Sequence, residues 1–177
     1  MHPDIHLPVA EAGCRSHPAG LDMGPKEKCG VFGIWRHPRA VHSTYLGLYA
    51  QQHRGQESAG IAVSDGAQLQ AHAGMGLVPD VFSADRLNRL AVGAGAGAIG
   101  HNRYSTAGGS KECNVQPLLQ QFIGGQVALA HNGNLVNADA HRHRFEESGH
   151  IFHTTSDTEV IVHLLASPEQ QGQADPL

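Results

Sequence analysis

The sequence predicts an α+β domain built in layers, and three observations carry that reading. Short apolar runs are separated by hairpin turn signals, Asp65-Gly66 and Gly124-Gly125. Segments with helical spacing follow these hairpins instead of alternating strictly with single strands, which sets the pattern apart from a parallel strand-helix-strand repeat. The 177 residues are 40% hydrophobic, enough for one domain with a real core.

Taken in order, residues 1 to 28 read as a leader, because Pro3, Pro8, Pro18 and Pro25 interrupt every period. Gly30 to Trp35 form a strand closed by His37-Pro38. Val41, Tyr45, Leu48, Tyr49 and Gln52 fall at helical spacing, and the helix runs into His53 to Ser58. Ala59 to Val63 resume as a strand that Asp65-Gly66 turns back into Gln68 to Ala73. Gly74 to Val78 read as loop, Ala84 to Leu90 as a short helix, and Gly93 to Gly97 as a surface loop too short for a domain linker. Ile99 to Arg103 re-enter the sheet. Tyr104 to Ser110 is irregular, since its glycines and hydroxyls favour turns, and reads as a binding loop. Leu118 to Ile123 turns at Gly124-Gly125 into Val127 to Ala130. Asn137 caps a helix reaching Ser148 and stopped by Gly149. Ser156-Asp157-Thr158-Glu159 reads as a capping box opening a last helix, Val160 to Ala166, ended by Pro168 and followed by a polar tail.

Composition narrows the function classes. A net charge of -4 with no Lys/Arg block excludes a nucleic-acid partner, which needs a clustered basic face. No apolar window is long enough to span a bilayer, and the N-terminus lacks the basic opening and apolar run of a secretory signal; the chain reads as cytoplasmic, without a membrane partner. Cys14, Cys29 and Cys113 are odd in number, far apart and free of any Cys-x-x-Cys pair, so neither a disulfide framework nor a thiolate zinc site is indicated. Fourteen histidines raise metal binding. Their placement answers against it: His141 and His143, two apart on a helix, point to different faces, and His101 and His131 each read as standing in a Gly/Asn-rich turn.

Three polar loops of the kind that surround a site remain: Arg103 to Ser110, His131 to Asn134, and Thr154 to Asp157. Cys29 heads the first strand. Read alone it is either an inert buried thiol or a nucleophile, the latter if removal of the leader gives it a terminal α-amine as base. Asn132-Gly133 reads by itself as a tight turn, Asp157 equally as a carboxylate favoured in the first turn of a helix or as a ligand, and Arg103, at a strand end beside a Gly/Ser/Thr loop, as a site residue in preference to a surface arginine.

Five stretches carry a resemblance: Cys29-Gly30-Val31-Phe32-Gly33-Ile34, Gln52 to Ile61, Gly100-His101-Asn102-Arg103-Tyr104-Ser105-Thr106, His131-Asn132-Gly133-Asn134-Leu135, and Ser156-Asp157-Thr158-Glu159. In content and order they resemble the class II glutamine amidotransferases, and within that class the amidophosphoribosyltransferase family, which acts in the first committed step of purine synthesis. The resemblance implies a layered α/β/β/α, Ntn-hydrolase-like glutaminase fold, C-terminally incomplete. It divides the chain into a leader or propeptide at 1–28 and a partial amidotransferase domain at 29–177, with the phosphoribosyltransferase domain absent. It implies that Cys29 becomes residue one and attacks the side-chain amide of glutamine. Asn132 and Gly133 then form the oxyanion hole, Arg103 grips the substrate α-carboxylate, Asp157 accepts its α-ammonium, and Arg54 and Thr106 support the site. No cofactor is implied in this chain. Mg2+ and, in some members, an iron–sulfur cluster belong to the missing part, so neither Cys14 nor Cys113 is a cluster ligand. The implied partners are glutamine, phosphoribosyl pyrophosphate through the missing domain, and further copies of the chain in a homo-oligomer. A sister branch making glucosamine phosphate or glutamate shares the same glutaminase chemistry, and a non-catalytic amino-acid-binding module is the alternative outside it.

Overall fold

A computed structural model describes residues 29–93, 95, 97–104 and 111–167. The leader, the tail and Thr106 lie outside the described residues. Strands β1 (Gly30–Trp35), β2 (Ser58–Ser64), β3 (Leu69–Met75) and β4 (Gly97–Arg103) make one antiparallel sheet in the order β1-β4-β2-β3. A second sheet is the hairpin β5 (Leu118–Phe122) and β6 (Gly125–Leu129). The helices are α1 (Ala40–Ala50), α2 (Val78–Val81), α3 (Ala84–Ala91), α4 (Ala138–Glu147) and α5 (Asp157–Ala166).

The period of two decides the layers. Phe32, Ile34, Ala59, Ile61 and Val63 face one side of the first sheet and pack, with Val41 and Leu48 of α1 and Val78, Phe82, Leu87 and Leu90, into the main core. Contact there is close: a Cβ on Gly100 would stand 2.7 Å from both Leu48 Cδ1 and Thr44 Cγ2, so α1 seats on bare backbone. On the opposite face the carbonyl of Gln116 lies against Gly60, and the side-chain oxygen of Gln126 on β6 accepts from the Leu69 N–H at 2.8 Å. Helix α5 packs on β5 and β6, and α4 on α5. The result is helix, sheet, sheet, helix, the layered α+β arrangement that the sequence predicts.

Local chemistry accounts for most boundaries. The β2–β3 turn is held by Asp65, whose Oδ1 accepts from the Ala67 and Gln68 N–H groups at 2.7 Å each, while Gly66 takes φ 98°. Those hydrogen bonds hold the Asp65 carboxyl below its ordinary pKa.

Several expectations change. Gly74 and Met75 belong to β3, because β2 offers ladder partners as far as Ser58, and Val78–Val81 is a helical turn instead of the end of a loop. Asn137 stands at the head of α4 without capping it; its amide bonds His141 Nε2 at 2.9 Å. The capping box at α5 is half formed. Ser156 Oγ accepts from the Thr158 N–H at 3.2 Å, but Glu159 turns away to accept from the His153 and Thr154 N–H groups at 2.9 and 2.7 Å. His101 is not in a turn: it stands inside β4, 1% exposed. Cys113 is disulfide-bonded, where the cysteine spacing gave no sign of pairing.

Candidate functional site

The antiparallel register of β1 and β4 builds the site. Pairing Gly30 with Asn102 sets Cys29 beside the end of β4. There its Sγ accepts from the Tyr104 N–H at 3.3 Å and its thiol faces the Tyr104 carbonyl at 3.5 Å. A cleft of about 480 Å3 opens over this sulfur, lined by Cys29, Gly30, Val31, Gln51, His53, Arg54 and Asn132. At its wall a Cβ on Gly30 would fall 2.5 Å from Gln51 Oε1, so a side chain there would displace the Gln51 amide.

Two predicted residues converge on the cysteine. Asn132 Nδ2 donates to the Cys29 carbonyl at 2.6 Å, and Arg54, which ends the 3-10 turn Gln52–Arg54, points Nε at the same oxygen at 3.5 Å. Gly133 follows Asn132 in an exposed bend, where an added Cβ would come 3.0 Å from His131 Nε2.

Arg103 and Asp157 do not line that cleft. Arg103 is one residue from the sulfur's partner Tyr104. It is held by an ion pair from Nε to Glu57 Oε1 at 3.4 Å and by donation from a terminal nitrogen to the Asn114 carbonyl at 3.0 Å, which together fix the plane of its fork. Asp157 Oδ2 accepts from the Leu135 N–H at 2.7 Å, and its Oδ1 lies 3.9 Å from His131 Nδ1. The loop bearing Asn132 and the start of α5 are thereby tied together.

The Thr154 to Asp157 loop is clamped from α4. Arg142 donates to the Thr154 and Ser156 carbonyls at 3.1 and 2.9 Å, and its guanidinium lies 4.1 Å above the Phe152 ring.

Four residues receive no role in the sequence reading: Glu57 and Tyr104, which lie within the quoted stretches, and Asn114 and Gln116, which lie outside them. Tyr104 acts through its backbone, which no motif can report. Asn114 and Gln116 are amides just ahead of Pro117, in a stretch between the loop ending at Ser110 and the strand from Leu118 that carries no motif. His101 is the electrostatic oddity of the site. Burial, helped by the Arg103 charge, pushes it down from 6.5 to about 4 against an opposing pull from the His131 backbone, so the ring is neutral. Among the described residues no group of three or more His, Cys, Asp or Glu is arranged to hold a metal, and no helix is long and apolar enough to cross a membrane.

Residues 101–175 match a family model described as a glutamine amidotransferase domain. The chain is 54% identical over 143 residues to the amidophosphoribosyltransferase of Bacillus subtilis (strain 168), covering 80% of this chain and 29% of that protein. It is 50% identical over 142 residues to the amidophosphoribosyltransferase of Staphylococcus aureus (strain MRSA252), covering 80% and 28%. Among solved structures, that of the allosteric regulatory enzyme of purine biosynthesis superposes with a TM-score of 0.73 at 51% identity over 82% of this chain and 30% of its own. Glutamine phosphoribosylpyrophosphate amidotransferase from B. subtilis, complexed with ADP and GMP, gives 0.70 at 49% over the same shares. The chain therefore spans less than a third of the length of these relatives.

Proposed function

We propose that the chain carries a glutamine amidotransferase domain of the amidophosphoribosyltransferase type and hydrolyses glutamine to glutamate and ammonia with Cys29 as the nucleophile. The Cys29 sulfur adds to the side-chain amide carbon, and the carbonyl electrons move onto oxygen. In this reading Asn132 receives that charge: one N–H of its amide donates to the Cys29 carbonyl, which keeps the amide beside the sulfur, and the second donates to the oxyanion, with the Gly133 backbone N–H as the other arm of the hole. The C–N bond breaks, the leaving nitrogen takes a proton to depart as ammonia, and water resolves the thioester to glutamate and the free thiol. Arg103 grips the α-carboxylate with its fork and Asp157 accepts the α-ammonium, with Arg54 and Thr106 supporting the site. The base is the α-amine that Cys29 gains when residues 1–28 are removed as a leader.

In the complete protein the ammonia displaces pyrophosphate from phosphoribosyl pyrophosphate to give 5-phosphoribosylamine. That step belongs to a phosphoribosyltransferase part with Mg2+, outside this chain, in a cytoplasmic homo-oligomer. Identities of 50–54% to amidophosphoribosyltransferases favour this branch over those making glucosamine phosphate or glutamate.

The single observation that carries the reading is the Cys29 sulfur at the head of β1, with the Asn132 amide in the same cleft. Cys29→Ser in the complete protein is expected to lower glutamine hydrolysis by about 10³-fold or more while ammonia still serves as nitrogen donor. Intact mass of the active form should show Cys29 as its first residue. Glutamine turnover within a few-fold of the parent would demote Cys29 to a core residue.

A further inference from the structure

We infer that Gln116 is a positioning residue, a strut that sets the distance between the end of the site that holds the amino-acid head of the substrate and the end that meets its amide. The inference rests on the roles proposed above for Asp157 and Asn132. Gln116 is 4% exposed and uses both ends of its side chain. Its Oε1 accepts from the His131 N–H at 2.6 Å, at the root of the loop that presents Asn132 and Gly133. Its Nε2 donates to Thr158 Oγ1 at 3.0 Å, one residue beyond Asp157 in the first turn of α5.

Asp157 itself also reaches Leu135 and His131, and α5 packs on β6, so Gln116 is the inner of several ties between these two places. The strut itself is braced, because its own carbonyl lies against Gly60 in the middle of β2 and its neighbour Asn114 exchanges two hydrogen bonds with Thr155, at 2.8 and 3.0 Å. Glutamine spans from α-ammonium to side-chain amide, so it needs both ends of the site in register. A small aliphatic amide that has no α-ammonium or α-carboxylate touches only the cysteine end and is indifferent to the spacing. Misplacement by about 1 Å costs on the order of 10²-fold where two groups must be met at once.

The test is Gln116→Met in the complete protein, a side chain of similar length that makes neither hydrogen bond. Glutamine hydrolysis, in kcat/KM, is expected to fall roughly 10- to 100-fold while hydrolysis of the simple amide changes less than about threefold and thiol alkylation of Cys29 proceeds at the parent rate. Thr158→Val, which is nearly isosteric and cuts the α5 end of the strut together with the Ser156 Oγ hydrogen bond to the same hydroxyl, should show the same selectivity in milder form and stands in if the first variant does not fold. Equal losses for both substrates, or no loss for glutamine in either variant, would overturn the strut. A parent protein that hydrolyses neither substrate would instead refute the glutaminase reading, and the strut with it.

Discussion

Acid should destabilise this protein through one residue more than any other. His101 is buried inside β4, and its folded pKa of about 4 lies below the ordinary 6.5. The sign follows from linkage: as pH falls the unfolded chain takes the proton first, so the stabilisation is complete above 6.5 and is lost progressively as pH drops toward the folded value. Between about pH 7.5 and about pH 4.5 one such group removes about 2.5 kcal/mol. With a urea m-value near ~2 kcal/mol/M, the unfolding midpoint falls by roughly 1.2 M over that range. His101→Leu removes the titration. Its midpoint at neutral pH will differ because the packing differs, so the quantity to compare is the slope with pH, measured by urea unfolding at several values. His72 and His163 are also pushed down, chiefly by burial, and lose stability in the same direction. They do so in both proteins, so the difference isolates His101. Parallel curves for parent and variant would mean that the ring is solvated or charged in the folded state, against the buried geometry.

Two further outcomes are expected. Arg103→Lys should raise KM for glutamine roughly tenfold, since a single ammonium replaces a two-pronged grip, while small amides without α-groups are spared; equal losses for both in parallel kinetics would show that Arg103 serves the fold instead. Glu159→Gln replaces one of two acceptors facing the His153 and Thr154 N–H groups with an NH2, and should cost about 1.5–3 kcal/mol in urea unfolding. A change below about 0.5 kcal/mol, the level of an ordinary surface substitution, would mean that the loop finds other acceptors.

What the sequence discloses and what it hides divide along physical lines. Strand β1, the hairpin at Asp65-Gly66 and the hairpin at Gly124-Gly125 were legible because period and turn chemistry act over a few residues. Cys29, Arg54 and Asn132 were legible because each sits in a recognisable stretch, and the fold brings all three to one cleft. The failures occur where a partner distant in the chain decides. His101 reads as a turn residue because Gly100 and Asn102 flank it, although Ile99 to Arg103 read as a strand; the glycine instead lets α1 approach the sheet, and His101 stays inside β4. Glu159 has the spacing of a capping box, but its amide partners come from the loop that α4 holds in place. Asn114 and Gln116 have no periodic or turn signal, since their amides bond side chains and backbone 15 to 42 positions away.

That pattern bears on how the site works. The groups nearest the sulfur are set by local register: one antiparallel pairing puts Tyr104 on Cys29, and a single loop brings Asn132 to its carbonyl. Recognition of the amino-acid head, as proposed, falls instead to Arg103 and Asp157, which sit on different elements and are related through buried side-chain amides. Substitutions in that amide network should therefore separate recognition from chemistry, changing which amides are accepted before they change the reactivity of the cysteine.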